Sequence, residues 1–160
     1  MRSTVMKWFT RGWYDGDLSE EEEEGVRAAY SLHLEELAPR LREGAEVLVA
    51  SVNLHDGQVR DWTVPSEGAI ELRVLIGDRQ VGYEFLTLRY LDAELIRAPK
   101  SDFSVLELMR QGAELLYDEV DIADDGRFEH RVLCWPDAEF GVRFRAVDVS
   151  RRPASPADRR

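Results

Sequence analysis

Asn53-Leu54-His55-Asp56-Gly57 is the segment whose residue types come closest to a catalytic or ligand-binding grouping. An imidazole beside a carboxylate is the pairing a general base needs, and an asparagine nearby offers a donor and an acceptor to a ligand. The same side chains also stabilise turns through their own backbone, and Asp56-Gly57 is itself a turn signal. The structural use of the segment is therefore favoured over the chemical one. Glu119 and His130 would join His55 and Asp56 in a small ligand-binding or hydrolase-like site only if the fold brought them into one cleft. A metal site would have to draw on His33, His55 and His130 with Glu119 or Asp121, and no spacing groups these. The sequence thus assigns no catalytic residue, no metal and no cofactor.

Other motifs that carry chemistry are missing. There is no G-x-x-x-x-G-K-[ST] loop, no G-x-G-x-x-G, no C-x-x-C, no H-E-x-x-H and no G-x-S-x-G. Cys134 is the single cysteine, so an internal disulfide is excluded. Its neighbours Val132, Leu133 and Trp135 predict a buried, inert thiol. Trp8 and Trp13 stand in the aromatic-dense stretch Lys7-Trp8-Phe9-Thr10-Arg11-Gly12-Trp13-Tyr14. Buried, they enlarge a core; exposed, they form a contact patch for a partner.

Charge narrows the partners. The formal net charge is −11, and the last ten residues hold four arginines against one aspartate, which leaves −14 on residues 1–150. A body of that sign repels phosphate backbones and anionic headgroups, so neither nucleic acid nor membrane is an expected partner. It suits a basic protein partner, whose approach it would accelerate. No apolar run reaches the length of a bilayer span, and the first residues lack the apolar stretch of a signal peptide, so a cytoplasmic location is expected.

The elements that must position these residues follow from period and punctuation. Ser19 with Glu22 is a capping box, and Glu20–Glu24 set negative charge against the positive end of a helix. Val26, Tyr30, Leu34, Leu37 and Leu41 then form one apolar stripe, with Glu23–Arg27 and Glu36–Arg40 as candidate ion pairs. Residues 47–54 read as extended or mixed. Strands are predicted over 58–64, 70–76, 83–95, 114–122, 127–135 and 139–149, with a short helix over 102–110 and a bulge near Arg145. Asp125-Gly126 is the strongest hairpin signal. On the fourth-to-fifth strand pair, Glu119 and Asp121 face Arg127, Glu129 and Arg131, which predicts cross-strand ion pairs. The expected fold is a single α+β domain over 1–150: a long N-terminal helix packed on a mostly antiparallel, meandering sheet of about six strands. Residues 151–160 are expected to be a disordered basic tail.

Met6-Lys7-Trp8-Phe9-Thr10, Leu116-Tyr117-Asp118-Glu119-Val120 and Gly126-Arg127-Phe128-Glu129-His130-Arg131 together resemble a bacterial family of unknown function whose members open Met-Lys-aromatic-Phe-Thr. The resemblance spans most of residues 6–148. It implies a bacterial intracellular protein with its natural start at Met6, and it brings no catalytic residue. Asn53-Leu54-His55-Asp56 is also similar to a strand entry in small α+β toxin-immunity proteins. A non-enzymatic protein that binds another protein, as an immunity or accessory factor does, is the expectation that results.

Overall fold

A computed structural model describes residues 5–96, 112–136 and 138–159, so the helix expected over 102–110 lies outside the described residues. The elements are α1 (Arg11–Tyr14), α2 (Glu20–Leu37, running into a 3-10 turn at Ala38–Arg40), α3 (Ala45–Ser51), β1 (Gly57–Thr63), β2 (Ala69–Asp78), β3 (Gly82–Leu91), β4 (Glu94–Ile96), β5 (Glu114–Ile122), β6 (Phe128–Trp135), β7 (Ala138–Phe144) and β8 (Ala146–Ala154), followed by a 3-10 turn at Pro156–Arg159.

The fold is α+β with an antiparallel sheet, of eight strands rather than the six expected. The hydrogen-bonded order is β4-β7-β6-β5-β1-β2-β3-β8. Two predicted runs are interrupted, which accounts for the difference. Residues 83–95 bend at Asp92, whose φ of 50° breaks the strand into β3 and β4. Residues 139–149 bend at Arg145, where the phase slip of the apolar residues was visible, giving β7 and β8. The bends coincide. Leu91 faces Ala146 on one side of them and Glu94 faces Arg143 on the other, so β3–β4 and β7–β8 keep one register throughout. The two ends of the sheet therefore share a single long ladder, and the sheet curls into a barrel-like ring.

Inward residues of this ring make the main core. Leu72, Val74, Leu86, Leu88, Tyr90, Val132, Phe140, Val142 and Phe144 are all fully buried in one cluster. Trp62 of β1 meets Phe140 of β7 at 5.4 Å between ring centroids, across the interior. The seam is thin between β1 and β5: among the described residues Gly57–Leu115 and Gln58–Glu114 pair, and the Asp56 and Val59 N–H groups donate to the Leu115 and Ala113 carbonyls.

α2 begins with the capping box expected: Ser19 and Glu22 bond each other's backbone N–H at 3.1 Å. Its apolar stripe is where the spacing placed it, with Tyr30 and Leu37 buried and Val26 and Leu34 partly so. Contact with the strands is narrow. The Tyr30 hydroxyl accepts the Val120 N–H at 2.8 Å, and the His33 Nε2–H donates to the Val120 carbonyl at 3.0 Å, so two side chains of α2 take up the backbone groups of one β5 residue. The predicted i,i+4 ion pairs do not form. Arg27 bonds Glu24 at 3.4 Å instead and lies 5.2 Å over the Trp13 ring.

Two further expectations change. Residues 47–51, expected to be extended or mixed, are helical as part of α3: Gly44 in a left-handed conformation (φ 95°) starts the helix, and Ala45 and Leu48 bury beneath it. The predicted tail is not disordered from residue 151. Arg151–Ala154 continue β8 against Leu86–Tyr83, because the β3 edge there has no other strand to satisfy its backbone groups. The last turn is held by Arg159, whose guanidinium donates to the Asp56 carbonyl at 3.0 Å.

Candidate functional site

The residues singled out by type are distributed over three places. His55 sits in the turn entering β1. Its N–H donates to Asn53 Oδ1 at 3.1 Å, which is the Asx turn that the local sequence favours. Its Nδ1 lies 2.6 Å from the Leu116 carbonyl, a contact that requires the proton on Nδ1, and the ring packs against Tyr117 at 5.2 Å. Nε2 is 3.6 Å from Asp56 Oδ2 at an exposed position. Asp56 itself takes a left-handed conformation (φ 62°) and donates its N–H to the Leu115 carbonyl. Asn53, His55 and Asp56 thus fasten the β1–β5 seam.

Glu119 lies on the outer side of β5 and is fully buried. Its carboxylate accepts the backbone N–H groups of Lys7, of Trp8 at 2.8 Å and of Phe9 at 3.3 Å, and the Arg131 Nε–H at 3.1 Å. Arg131 also bonds Asp121 at 3.0 Å and Glu129 at 3.2 Å, and Arg143 bonds Glu129 at 3.1 Å. The cross-strand pairs predicted for Arg131 are present. Arg127 turns elsewhere, to Asp125 at 2.8 Å and Glu94 at 2.9 Å.

The carboxylate of Glu119 holds the aromatic N-terminal segment down. Trp13 is buried, 4.6 Å from Tyr117 and 5.0 Å from Phe9. Trp8 is half-buried between Tyr30 (5.1 Å) and His33 (4.3 Å), with the Arg131 guanidinium 5.6 Å from its ring. Met6, Leu116 and Leu133 complete a small second core outside the ring. Trp13 is thus buried beside that core and Trp8 half-buried against α2, so the two do not form an exposed patch.

His130 is inside the ring. Its Nδ1 meets the Tyr90 hydroxyl at 2.8 Å and its Nε2 meets Asp118 Oδ2 at 2.8 Å. With Nε2–H donating to the carboxylate, Nδ1 accepts from the Tyr90 O–H, and the buried chain is fully satisfied. Burial pushes the Tyr90 hydroxyl far above the ordinary phenol range, with the Asp118 charge adding to it. A phenol so held keeps its proton and is not a nucleophile. No sequence signal announced this chain: Tyr90 and His130 are 40 residues apart and meet only because the ring closes.

His55, Glu119 and His130 each bond a different set of partners and do not converge. Among the described residues no group of three or more His, Cys, Asp or Glu could hold a metal ion.

Cys134 is fully buried, and desolvation raises its thiol pKa from 9.0 to about 12, Arg11 opposing and Glu139 reinforcing the shift. A thiol reagent at about pH 8 should leave the folded protein unlabelled and label it in denaturant. The linkage has a definite sign. Above pH 9 the unfolded thiol loses its proton while the folded one keeps it, so stability falls as pH rises from 9 towards about 12. Cys134→Ala should flatten that decline in denaturant midpoints measured across the same window.

No helix among the described residues is long and apolar enough to cross a membrane. Comparison with protein-family models, with curated proteins and with solved structures finds no match to the chain.

Proposed function

We propose that this protein acts by binding a cationic protein and not by catalysis. The observation that carries the reading is the outer side of α2. Glu20, Glu21, Glu35 and Glu36 are exposed and have no ion-pair partner among the described residues, and Leu32 stands 55% exposed between them. By contrast, the side chains best suited to chemistry are all engaged in fastening the fold. An acidic helix with one exposed apolar residue matches a basic partner surface that contributes one apolar contact. An immunity or accessory factor of a bacterial cell would work in this way, and a cytoplasmic setting fits it.

The test is capture of partners from the source cell on immobilised protein at low and high salt. A variant carrying Glu21→Gln, Glu35→Gln and Glu36→Gln serves as the comparison. Proteins of basic isoelectric point should be retained at low salt and released at high salt, and the variant should hold them about tenfold less well. Capture that is indifferent to both salt and the three substitutions would overturn the reading.

A further inference from the structure

On the outer face of β1, β2, β3 and β8 there is an open trough of about 310 Å³, at the lower end of the size of ligand cavities. Strand register orders its floor. Asp61 faces Arg73, Arg73 faces Thr87, and Thr87 faces Ser150, so one polar row crosses four strands. Glu71, two residues before Arg73, flanks the row on one side; Phe85, opposite Leu75 and Arg152, flanks it on the other. The trough is bipolar, with carboxylates at one end and guanidinium groups at the other.

These charges do not neutralise one another. The guanidinium groups of Arg73 and Arg152 each lie 5.0 Å over the Phe85 ring. Neither forms an ion pair within 4 Å among the described residues, and the buried Nε of Arg73 has no hydrogen-bond partner. Stacking on the ring draws Arg73 away from Asp61 and Glu71, although register and spacing bring all three together. Among the described residues, Asp61 accepts the N–H of Trp62, at 2.9 Å, and no other donor, and Glu71 accepts no hydrogen bond. Elsewhere on the sheet, Arg127, Arg131, Arg143 and Arg145 each hold a carboxylate. Two cations over one ring repel each other, the more so at Arg73, and an anionic group between them relieves the repulsion; Arg152 also feels the Asp158 carboxylate. A polyanion is disfavoured by the two carboxylates in the same trough.

We infer that the trough binds a small zwitterion of the α-amino-acid type. Its carboxylate lies between Arg73 and Arg152, where guanidinium forks bond it in pairs, and its ammonium lies against Asp61 and Glu71. The Thr87 hydroxyl borders the carboxylate end. This site is separate from the acidic face of α2 and stands or falls independently of it.

The experiment is an amide-resolved NMR titration of the full chain with individual L-α-amino acids. Acetate, methylammonium and inorganic phosphate serve as single-charge controls. At least one amino acid should give saturable shifts confined to residues around Arg73, Thr87 and Ser150. Its methyl ester, which lacks the carboxylate, and its N-acetyl derivative, which lacks the ammonium, should each bind about tenfold or more weakly to the unaltered protein. Arg73→Gln with Arg152→Gln should abolish the shifts while the core amides stay in place. Acetate or phosphate binding as tightly as the amino acid would overturn the zwitterion assignment. So would blocked derivatives that bind as tightly as the free amino acid, or no saturable shift with any amino acid.

Discussion

Glu119→Ala is expected to destabilise the protein by about 3–5 kcal/mol and to detach its N-terminal segment. Three consecutive backbone N–H groups, from Lys7, Trp8 and Phe9, converge on this one buried carboxylate, and among the described residues no other acceptor is bonded to them. Removing it orphans all three and takes one of three anions from Arg131. The chain relaxes by releasing residues 5–14 to water, which exposes Met6, Phe9 and Trp13. Urea unfolding reads the loss of stability. Tryptophan emission shifting to the red, and tryptic cleavage after Lys7 or Arg11, read the detachment. Glu119→Gln keeps one acceptor oxygen and should lose about half as much. A Glu119→Ala protein within about 1 kcal/mol of the parent, with the same emission, would show that the segment is held by its aromatic contacts alone.

Gly44→Ala should cost about 3 kcal/mol, an unusually large effect for one methyl group. Gly44 has φ 95°, where a side chain is strained, and a Cβ there would lie 1.8 Å from the Val147 carbonyl oxygen. Backbone cannot yield that distance cheaply, because Val147 also donates its N–H to the Glu43 carbonyl at 2.9 Å. The substitution must push α3 off β8 and uncover Ala45 and Leu48. Gly25→Ala provides the control. Gly25 lies mid-helix in α2 with open space around it, so an added methyl should stabilise by about 0.5–1 kcal/mol. Thermal unfolding of the two variants side by side should move in opposite directions.

The parts of this fold that were legible in the sequence are those governed by neighbours along the chain. The Ser19–Glu22 box, the stripe from Val26 to Leu37 (Leu41, also expected on it, lies past the 3-10 turn in extended backbone), and the Asp125-Gly126 hairpin between β5 and β6 all depend on residues a few positions apart. The six predicted runs are real, and the phase slip at Arg145 marked one of the two places where a run breaks. What was illegible depends on distant partners. Val47 and Val49 look extended, yet α3 forms because Ala45 and Leu48 find cover against β8 and the core. Glu119 alternates like any solvent-facing strand carboxylate. Only the docking of residues 7–9 makes it buried, and the aromatic density around Trp8 was the sole hint that something must anchor that segment. Candidate-site residues fared likewise. The sequence could group Asn53, His55 and Asp56 because they are adjacent, and the turn reading of them holds. It could not bring Arg73 and Arg152 to one ring, since their meeting requires β8 to reach Phe85.

The shared ladder of β3–β4 with β7–β8 also has a meaning for the order of events during synthesis. β3 is made long before its partner β8, and the edge of Tyr83–Leu91 stays open until Ala146–Ala154 leave the ribosome. A nascent chain therefore carries β1, β2 and β3 as a meander with one bare edge and an uncovered apolar face, the state most exposed to wrong pairing. Such long-range closure makes folding slow relative to local helix and hairpin formation. The arginines at 151 and 152 and the proline at 153 fit this history. They sit on the strand that completes the ring, where charge and a missing N–H discourage a second chain from docking in its place.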